Sequence, residues 1–194
     1  MTALANLLEA CRALHAAIPG LCGFAPWPDD LTPTGLTARH RPATDQIAAI
    51  DDPTDPLSRT ATEAVRAAAG DLHWRRYYTE ADVGADMMAR YAFVELFGPK
   101  GHFHSDQGRG FIGYWGHDLA YDWHGHEAEE LYVCLSGRGL FKAEGEADVW
   151  LNPGDLRLHK SRQSHAMDTG AEPFLGFIMW RGNGMSGAPA MHAA

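Results

Sequence analysis

Residues 121–139, Tyr-Asp-Trp-His-Gly-His-Glu-Ala-Glu-Glu-Leu-Tyr-Val-Cys-Leu-Ser-Gly-Arg-Gly, carry two histidines, a glutamate and a tyrosine at even-numbered positions before a glycine turn. On an extended strand, side chains two residues apart point to the same face. If residues 130–136 form a strand, Glu130 and Tyr132 therefore face one way. The apolar side chains of the same run pack on the other face: Leu131, Val133 and Leu135.

Two histidines lie just before this strand. His124 and His126 share a parity of their own and precede the carboxylate of Glu130. Imidazoles and a carboxylate, with the phenol of Tyr132 as a further donor, form a ligand set that suits a divalent first-row metal ion. The stretch therefore predicts a metal site on a concave face, and the rest of the chain is expected to form the barrel that holds it.

Composition excludes several classes of protein. The chain has 194 residues, a hydrophobic share of 45% and a charged share of 21%, as expected for a soluble domain with one full core. The net charge of -9 offers no electrostatic footprint for nucleic acid or an anionic membrane. No apolar run approaches the roughly 20 residues that span a bilayer. We expect no nucleic-acid partner, no membrane partner and no secretion.

The cysteines agree with this expectation. Cys11, Cys22 and Cys134 are an odd number and include no C-x-x-C pair. Neither a disulfide framework nor a cysteine zinc site is indicated, and a reduced, cytoplasmic setting is predicted.

The first third of the chain is predicted to be helical. Apolar residues at three- and four-residue intervals indicate a helix over 4–18, which Pro19 and Gly20 end. A proline-rich, irregular connection follows over residues 21–55. Asp55 and Pro56 then suit the N-cap and first turn of a second helix that runs from Leu57 to Ala69. Residues 1–70 are interpreted as a helical cover segment on the barrel.

From about residue 72 the periodicity changes to that of strands. Short aromatic and β-branched runs bounded by Gly, Pro and Asp predict an antiparallel sandwich or barrel over residues 71–182. The predicted strands are residues 73–78, 88–97, 109–115, 130–136, 139–143, 148–151, 155–159 and 174–180. The Gly-, Ala- and Ser-rich tail, residues 183–194, is expected to be loosely ordered.

Two motifs resemble those of the cupins. The spacing His124-x-His126-x3-Glu130-x6-Gly137 resembles the first cupin motif, and Pro153-Gly154-Asp155 followed by His165 resembles the second. The resemblance implies a mainly β fold, the cupin double-stranded β-helix or jelly-roll barrel, here preceded by a helical N-terminal segment.

A narrower resemblance also uses residues that the general motif does not contain. Tyr121, the Glu130-Leu-Tyr132 run, His165 and the Phe-Ile-Met-Trp180 run are similar to those of the cupin dimethylsulfoniopropionate (DMSP) lyases of the DddQ type. The helical first third is similar to that family's layout as well. The resemblance implies that one metal ion is held by His126, Glu130, Tyr132 and His165. It also implies that Tyr121 is the base and that His124 lies beside the substrate.

The implied reaction is the cleavage of DMSP to dimethyl sulfide and acrylate by base-catalysed β-elimination. A tyrosine base ionised at pH 7 requires its pKa to fall by about 3 units, or roughly 4 kcal/mol, which a nearby metal ion can supply. Either Tyr121 or Tyr132 can then act as the base. The sulfonium group is expected over aromatic faces, including those of Trp123 and Trp180. The ligand types do not choose between Zn²⁺ and Fe²⁺, or exclude Mn²⁺, Ni²⁺ and Co²⁺.

Alternatives stay open at this point. A cupin with this ligand set is also compatible with a dioxygenase or an isomerase of another small carboxylate, or with a non-catalytic ligand-binding protein. Trp123, Trp180 and the tyrosines also suit ordinary core positions. His159 is interpreted as structural or substrate-lining, and three more histidines as solvated: His102, His104 and His117. Pairing of two chains through sheet edges, giving a homodimer, is a further expectation.

Overall fold

A computed structural model describes residues 2–191. The helices are α1 (Ala3–Ala17), α2 (Pro19–Phe24), α3 (Pro56–Ala68) and α4 (Glu80–Arg90), with 3-10 helices at Pro42–Ala49 and Ala69–Asp71. The strands are β1 (Thr32–Pro33), β2 (Tyr91–Phe97), β3 (Phe103–His104), β4 (Arg109–Trp115), β5 (Ala120–Gly125), β6 (Glu129–Ala143), β7 (Val149–Leu151), β8 (Leu156–His159), β9 (His165–Arg181) and β10 (Ala190–Met191).

The helical first third forms as predicted. The N-cap residue Thr2 accepts a hydrogen bond from the backbone N–H of Ala5 at the start of α1. Pro19 ends α1 and also begins the short helix α2, which the sequence analysis did not predict. The carboxylate of Asp55 accepts from the N–H of Ser58 at 2.7 Å, so the predicted cap of α3 is confirmed.

Two long strands build the barrel. β6 and β9 pair with each other along nearly their whole lengths. The second half of β9 also pairs with β4 and its first half with β5, while β6 pairs in turn with β8 and β7. One layer is therefore β1-β3-β2-β4-β9-β6-β8 and the other is β10-β5-β9-β6-β7. This is the jelly-roll arrangement that was predicted.

Glycine permits the turn of β6 from one layer to the other. Gly137 has φ +70°, and a Cβ at this position would lie 1.7 Å from the carbonyl oxygen of Pro173. The pairing register of β6 with β9 shifts around this residue. The predicted strands 130–136 and 139–143 are consequently one strand that changes register at a glycine, rather than two.

The predicted parity of β6 is confirmed. Before Gly137, its odd-numbered apolar side chains belong to a core shared with helices α1 and α3, whereas Tyr132 and Cys134 belong to a second core inside the barrel. The helical segment thus covers one face of the sheet, and the opposite face encloses the site.

Several predicted boundaries were wrong. Residues 73–78 form only isolated bridges, such as that between Arg75 and Phe93. Residues 80–90 form helix α4, which is interrupted at Gly84 (φ +79°), so the strand predicted over 88–97 begins at Tyr91. A capping box accounts for α4, because the carboxylate of Asp82 accepts from both the N–H and the hydroxyl of Thr79.

The C-terminal segment is tethered over its described part. Ala190 and Met191 pair with β5 opposite Gly125 and His124. Arg109 donates to backbone carbonyls of the segment, those of Met185 and Gly187. The sequence analysis expected looser packing over 183–194, of which residues 192–194 lie outside the described part of the chain.

Across residues 2–191, no helix is both long and apolar enough to cross a bilayer. The three cysteines are free thiols.

Candidate active site

Three predicted ligands meet inside the barrel. The carboxylate oxygen Oε2 of Glu130 lies 3.1 Å from Nε2 of His126 and 3.4 Å from Nε2 of His165. All three residues are buried, and their candidate ligand atoms lie within 4.8 Å of one another. The group is compatible with a single metal ion, because imidazole and carboxylate donors at this spacing form typical first-row metal sites.

Backbone carbonyls fix the orientation of the imidazoles. Nδ1 of His126 lies 2.8 Å from the carbonyl oxygen of Ala128, and Nδ1 of His165 lies 2.8 Å from that of Gln163. Each Nδ1 thus donates its hydrogen and leaves the lone pair on Nε2. Nε2 of His165 is buried and has no hydrogen-bond partner among the described residues. Imidazoles held in this way are characteristic of metal ligands, so the residues present fit a metal ion.

The pKa values agree with a charged carboxylate. Burial alone raises the pKa of Glu130, but the adjacent imidazoles of His126 and His165 outweigh it and hold the pKa well below its usual range. For His126, burial lowers the pKa, but Glu130 outweighs it and the pKa is raised. The group therefore offers an anionic oxygen beside two imidazoles.

Tyr132 lies two residues after Glu130 on the same face of β6. It is buried, and both Tyr132 and Glu130 line the same pocket. Burial, followed by the negative charge of Glu130, raises the pKa of Tyr132 well above its ordinary value. The phenol thus lies in the same pocket as Glu130, but it is not part of the group of three candidate ligands.

A β-bulge brings Tyr121 and His124 to one face. The register of β5 against β9 shifts between these two residues, so they both point inward although they are three positions apart. Their rings stack with centroids 3.9 Å apart. His124 also contacts His165, with ring centroids 4.2 Å apart, but it lies outside the group of three ligands.

The same bulge corrects the prediction for Trp123. Without it, Trp123 would share the inward face with Tyr121. Instead Asp122 and Trp123 are both exposed, and Trp123 is 40% accessible to solvent. It is not among the residues that line the pocket.

Tyr78 is a site residue that the sequence analysis missed. Its hydroxyl oxygen lies 2.7 Å from that of Tyr121, and both side chains are buried. The motif spacing could not reveal this pair, because Tyr78 lies before α4, far from the motifs in sequence, and reaches the site through tertiary packing.

An aromatic pocket adjoins the ligand group. In this conformation its free volume is about 30 Å³, enough for only a small number of water molecules, so entry of a larger ligand requires lining side chains to move. The lining residues are Tyr91, Phe93, Phe111, Trp115, Tyr121, Glu130, Tyr132, Ile178 and Trp180.

His159 lies behind the ligand group. It is fully buried on β8, opposite Glu130, and its ring stacks on that of His165 with centroids 4.0 Å apart. Neither of its ring nitrogens has a hydrogen-bond partner among the described residues. Burial lowers the pKa of His159 to about 2, so this imidazole is neutral. The structure shows it packed against a ligand, in line with its interpretation as structural or substrate-lining.

One of the three remaining histidines differs from expectation. His104 and His117 have exposed side chains, as predicted. His102 is only 2% exposed, and its Nε2 accepts a hydrogen bond from the N–H of His73 at 2.9 Å. The prediction that His102 is solvated was therefore wrong.

The two-layer barrel, with its buried His-Glu-His group, has the cupin fold. A cupin-2 domain from Rhodospirillum rubrum shares this fold, with a TM-score of 0.50 and 17% identity over 63% of this chain and 76% of that chain. Within the cupins, the match is more specific. The family model described as "Dimethlysulfonioproprionate lyase" matches residues 34–176, and the chain belongs to this dimethylsulfoniopropionate lyase family.

Individual relatives agree. Dimethylsulfoniopropionate lyase DddQ of Ruegeria pomeroyi is 38% identical over 185 residues, covering 93% of this chain and 90% of the relative. The crystal structure of DddQ from that organism superposes with a TM-score of 0.91 and 36% identity, over 97% of this chain and 95% of that chain. A solved structure from the pair of DMSP lyases RdDddP and RnDddQII gives a TM-score of 0.95 and 41% identity, with 98% of each chain covered.

Proposed function

We propose that this protein is a metal-dependent carbon–sulfur lyase that cleaves dimethylsulfoniopropionate to dimethyl sulfide and acrylate by β-elimination. The observation that carries the proposal is the meeting of a buried His-Glu-His group and two buried tyrosines at one aromatic pocket. A relative that matches this chain over most of its length is named for the same activity.

His126, Glu130 and His165 would hold the metal ion, with the phenol of Tyr132 as a fourth donor. Zn²⁺ and Fe²⁺ suit this set, as do Mn²⁺, Ni²⁺ and Co²⁺. When bound, such an ion orients a carboxylate and draws electron density from the adjacent carbon. His124 is assigned a place beside the substrate, because it faces the pocket side of β5 without joining the group of three ligands.

Tyr121 is proposed as the base. Burial raises the pKa of Tyr121 well above its ordinary value, so a bound metal ion would have to lower it. The phenolate oxygen would then remove a proton from the carbon next to the substrate carboxylate. The electron pair of that C–H bond becomes the second bond of the alkene. The C–S bond breaks, and its electron pair leaves with sulfur, which gives neutral dimethyl sulfide. The stacking of Tyr121 on His124 and its hydrogen bond with Tyr78 fix the position of the hydroxyl. If Tyr132 is the base instead, Tyr121 has only a binding role.

The aromatic walls bind the other end of the substrate. A sulfonium cation has no hydrogen-bond donor, and it is attracted by the negative faces of aromatic rings. Tyr91, Trp115 and Trp180 supply such faces around the pocket. The same rings exclude water, which strengthens the electrostatic interactions within the site.

Release of dimethyl sulfide tests the proposal. The purified protein is given dimethylsulfoniopropionate, and the gas is measured in the headspace with and without a chelator. We expect the gas to appear and chelation to abolish it. Unchanged release after verified metal removal would disprove metal dependence, and oxygen consumption without dimethyl sulfide would indicate the dioxygenase alternative. Homodimer formation and a cytoplasmic location stay predictions.

A further inference from the structure

A second pocket lies behind the aromatic wall of the active site. It has a free volume of about 280 Å³. Phe93 lines both pockets, and Tyr77 stacks on Phe93 with ring centroids 4.1 Å apart. Arg109 lies between the two, with its guanidinium over the rings of Phe111 and Trp180, both of which line the active-site pocket. One layer of aromatic rings thus separates the two pockets.

Cationic side chains dominate this second pocket. Arg75, Arg76, Lys100 and Arg109 line it, against the single carboxylate of Glu95. Both oxygens of that carboxylate already accept hydrogen bonds within the protein. Oε1 accepts from the backbone N–H of Lys100 and Oε2 accepts from Arg109, each at 2.8 Å. Glu95 therefore neutralises Arg109, and the other three cationic side chains of the pocket have no carboxylate partner there.

The unpaired cations are concentrated at this place. Most of the 16 cationic side chains form ion pairs with carboxylates. Five of the others lie in the pocket or beside the segment that carries Arg75 and Arg76, and none has a carboxylate partner within residues 2–191: Arg39, Arg41, Arg75, Arg76 and Lys100. In a chain with a net charge of -9, such a cluster favours an anionic ligand.

Arg76 combines two properties. It lines the cationic pocket and has no carboxylate partner, and its Nε is buried without an acceptor within the described part of the chain. The Nε of Arg138, outside the pocket, is also without an acceptor, so the position of Arg76 in the pocket distinguishes the two residues. Arg75, in contrast, donates to the carbonyl oxygen of Lys100 at 2.7 Å. A buried guanidinium N–H without an acceptor costs free energy, and a planar carboxylate is the acceptor that a guanidinium binds best.

We propose that this cationic pocket is a second anion site that binds a small monocarboxylate, the class of compound to which acrylate belongs. The identification of acrylate as its natural ligand rests on the proposed function. The free volume suits a small ion, and the described segment 186–188 forms part of the wall. Because Phe93 lines both pockets, these positive charges adjoin the site where an acrylate anion would form.

Binding of propionate, the unreactive saturated analogue of acrylate, tests the site. Calorimetric titrations compare the metal-loaded wild type with an Arg76→Gln/Lys100→Gln variant and with Arg138→Gln. Arg138 is a matched control because it also lacks a carboxylate partner but stacks on Trp150, outside the pocket. We expect the double variant to weaken one binding event by about tenfold or more, as for the loss of a charge-assisted hydrogen bond. Arg138→Gln should bind as the wild type does.

Further titrations define the class of ligand that the pocket binds. Added salt should weaken the same event, because partly exposed charges are screened, and neutral propionamide should not bind. Equal propionate affinity in all three proteins would overturn the proposal, as would tighter binding of inorganic phosphate with the same dependence on Arg76 and Lys100. Melting temperatures check that each variant is folded.

The same preparations are assayed for dimethyl sulfide release, which separates this proposal from the previous one. If the wild type releases no gas but the double variant still loses propionate binding, the lyase proposal fails and the carboxylate site stands. If gas is released but propionate binding is equal in every protein, the carboxylate site fails alone.

Discussion

Trp180 donates its indole N–H to Oε1 of Glu130 at 2.7 Å, while its ring stacks on His126 with centroids 4.3 Å apart. One side chain therefore orients two of the candidate metal ligands. With Oε1 held by the indole, Oε2 is the oxygen directed at His126 and His165. The sequence analysis assigned Trp180 to the substrate, and the structure adds this contact with the ligand group.

Trp180→Phe should weaken metal binding. The substitution keeps an aromatic ring in place but removes the donor to Glu130, so the carboxylate loses a fixed orientation. Loss of a partner that orients a ligand typically costs about 10- to 100-fold in metal affinity. Metal affinity is measured by competition with a chelator. Trp150→Phe is a matched control, because Trp150 is exposed and distant from the ligands. If Trp180→Phe and the wild type bind the metal with equal affinity, the indole N–H does not orient Glu130 for metal binding.

Substitution of the ligands should separate His124 from the other histidines. His126→Ala, Glu130→Ala and His165→Ala each remove one candidate ligand atom of the buried group, so each should lower metal content and activity. His124→Ala should retain more metal than these three, while losing activity. Elemental analysis of purified proteins gives the metal content. Complete loss of metal in His124→Ala would show that His124 is a ligand.

Much of this site could be predicted from local sequence. The parity of β6 follows from alternation, because one face of the strand packs on the helices and the other faces the barrel interior. The ligand spacing and the cap at Asp55 are also local signals. In each case the interacting residues are close in sequence or repeat with the period of the strand.

Features that depend on partners distant in sequence could not be predicted in this way. Simple alternation along β5 would point Trp123 inward, but the β-bulge points it to solvent. The bulge arises from the pairing of β5 with β9, which is distant in sequence. Tyr78 reaches Tyr121 across 43 positions of sequence. The capping box at Thr79 was a readable signal, but the aromatic residues on both sides of it favoured strands.

The buried His102 predicts a pH dependence of stability. Burial lowers the pKa of His102 from 6.5 to about 4. The unfolded chain therefore binds a proton at this residue below about pH 6.5, whereas the folded chain does so only near pH 4. The stability contributed by neutral His102 should be fully present above pH 6.5 and decline as the pH falls towards 4.

A His102→Gln variant isolates this effect. The glutamine oxygen can accept the N–H of His73 but does not titrate, so the variant should lose less stability than the wild type between pH 7 and pH 5. Denaturant unfolding at both values measures the difference. His104→Gln is the matched control, because the side chain of His104 is exposed. If the wild type and His102→Gln lose equal stability on acidification, the neutral histidine does not contribute in this way.

The last prediction distinguishes the base from its neighbours. Tyr121→Phe removes one hydroxyl and leaves the stacking ring, so metal content, fold and KM should be retained. If Tyr121 is the base, kcat should fall by about 10²- to 10⁴-fold, because general-base catalysis acts only in the transition state. Tyr132→Phe should instead change metal binding or KM, since Tyr132 and Glu130 line the same pocket two residues apart on β6.

Tyr78→Phe completes the comparison. It deletes the hydroxyl that lies 2.7 Å from that of Tyr121 but keeps the base itself, so a loss of about tenfold in kcat is expected for one buried hydrogen bond. Steady-state kinetics with dimethylsulfoniopropionate, together with metal analysis, measures all three variants. Near-normal kcat in Tyr121→Phe would transfer the base role to Tyr132 or to a metal-bound hydroxide. A loss in Tyr78→Phe equal to that in Tyr121→Phe would show that the two hydroxyls act as one unit, because removing either would then abolish the same proton transfer.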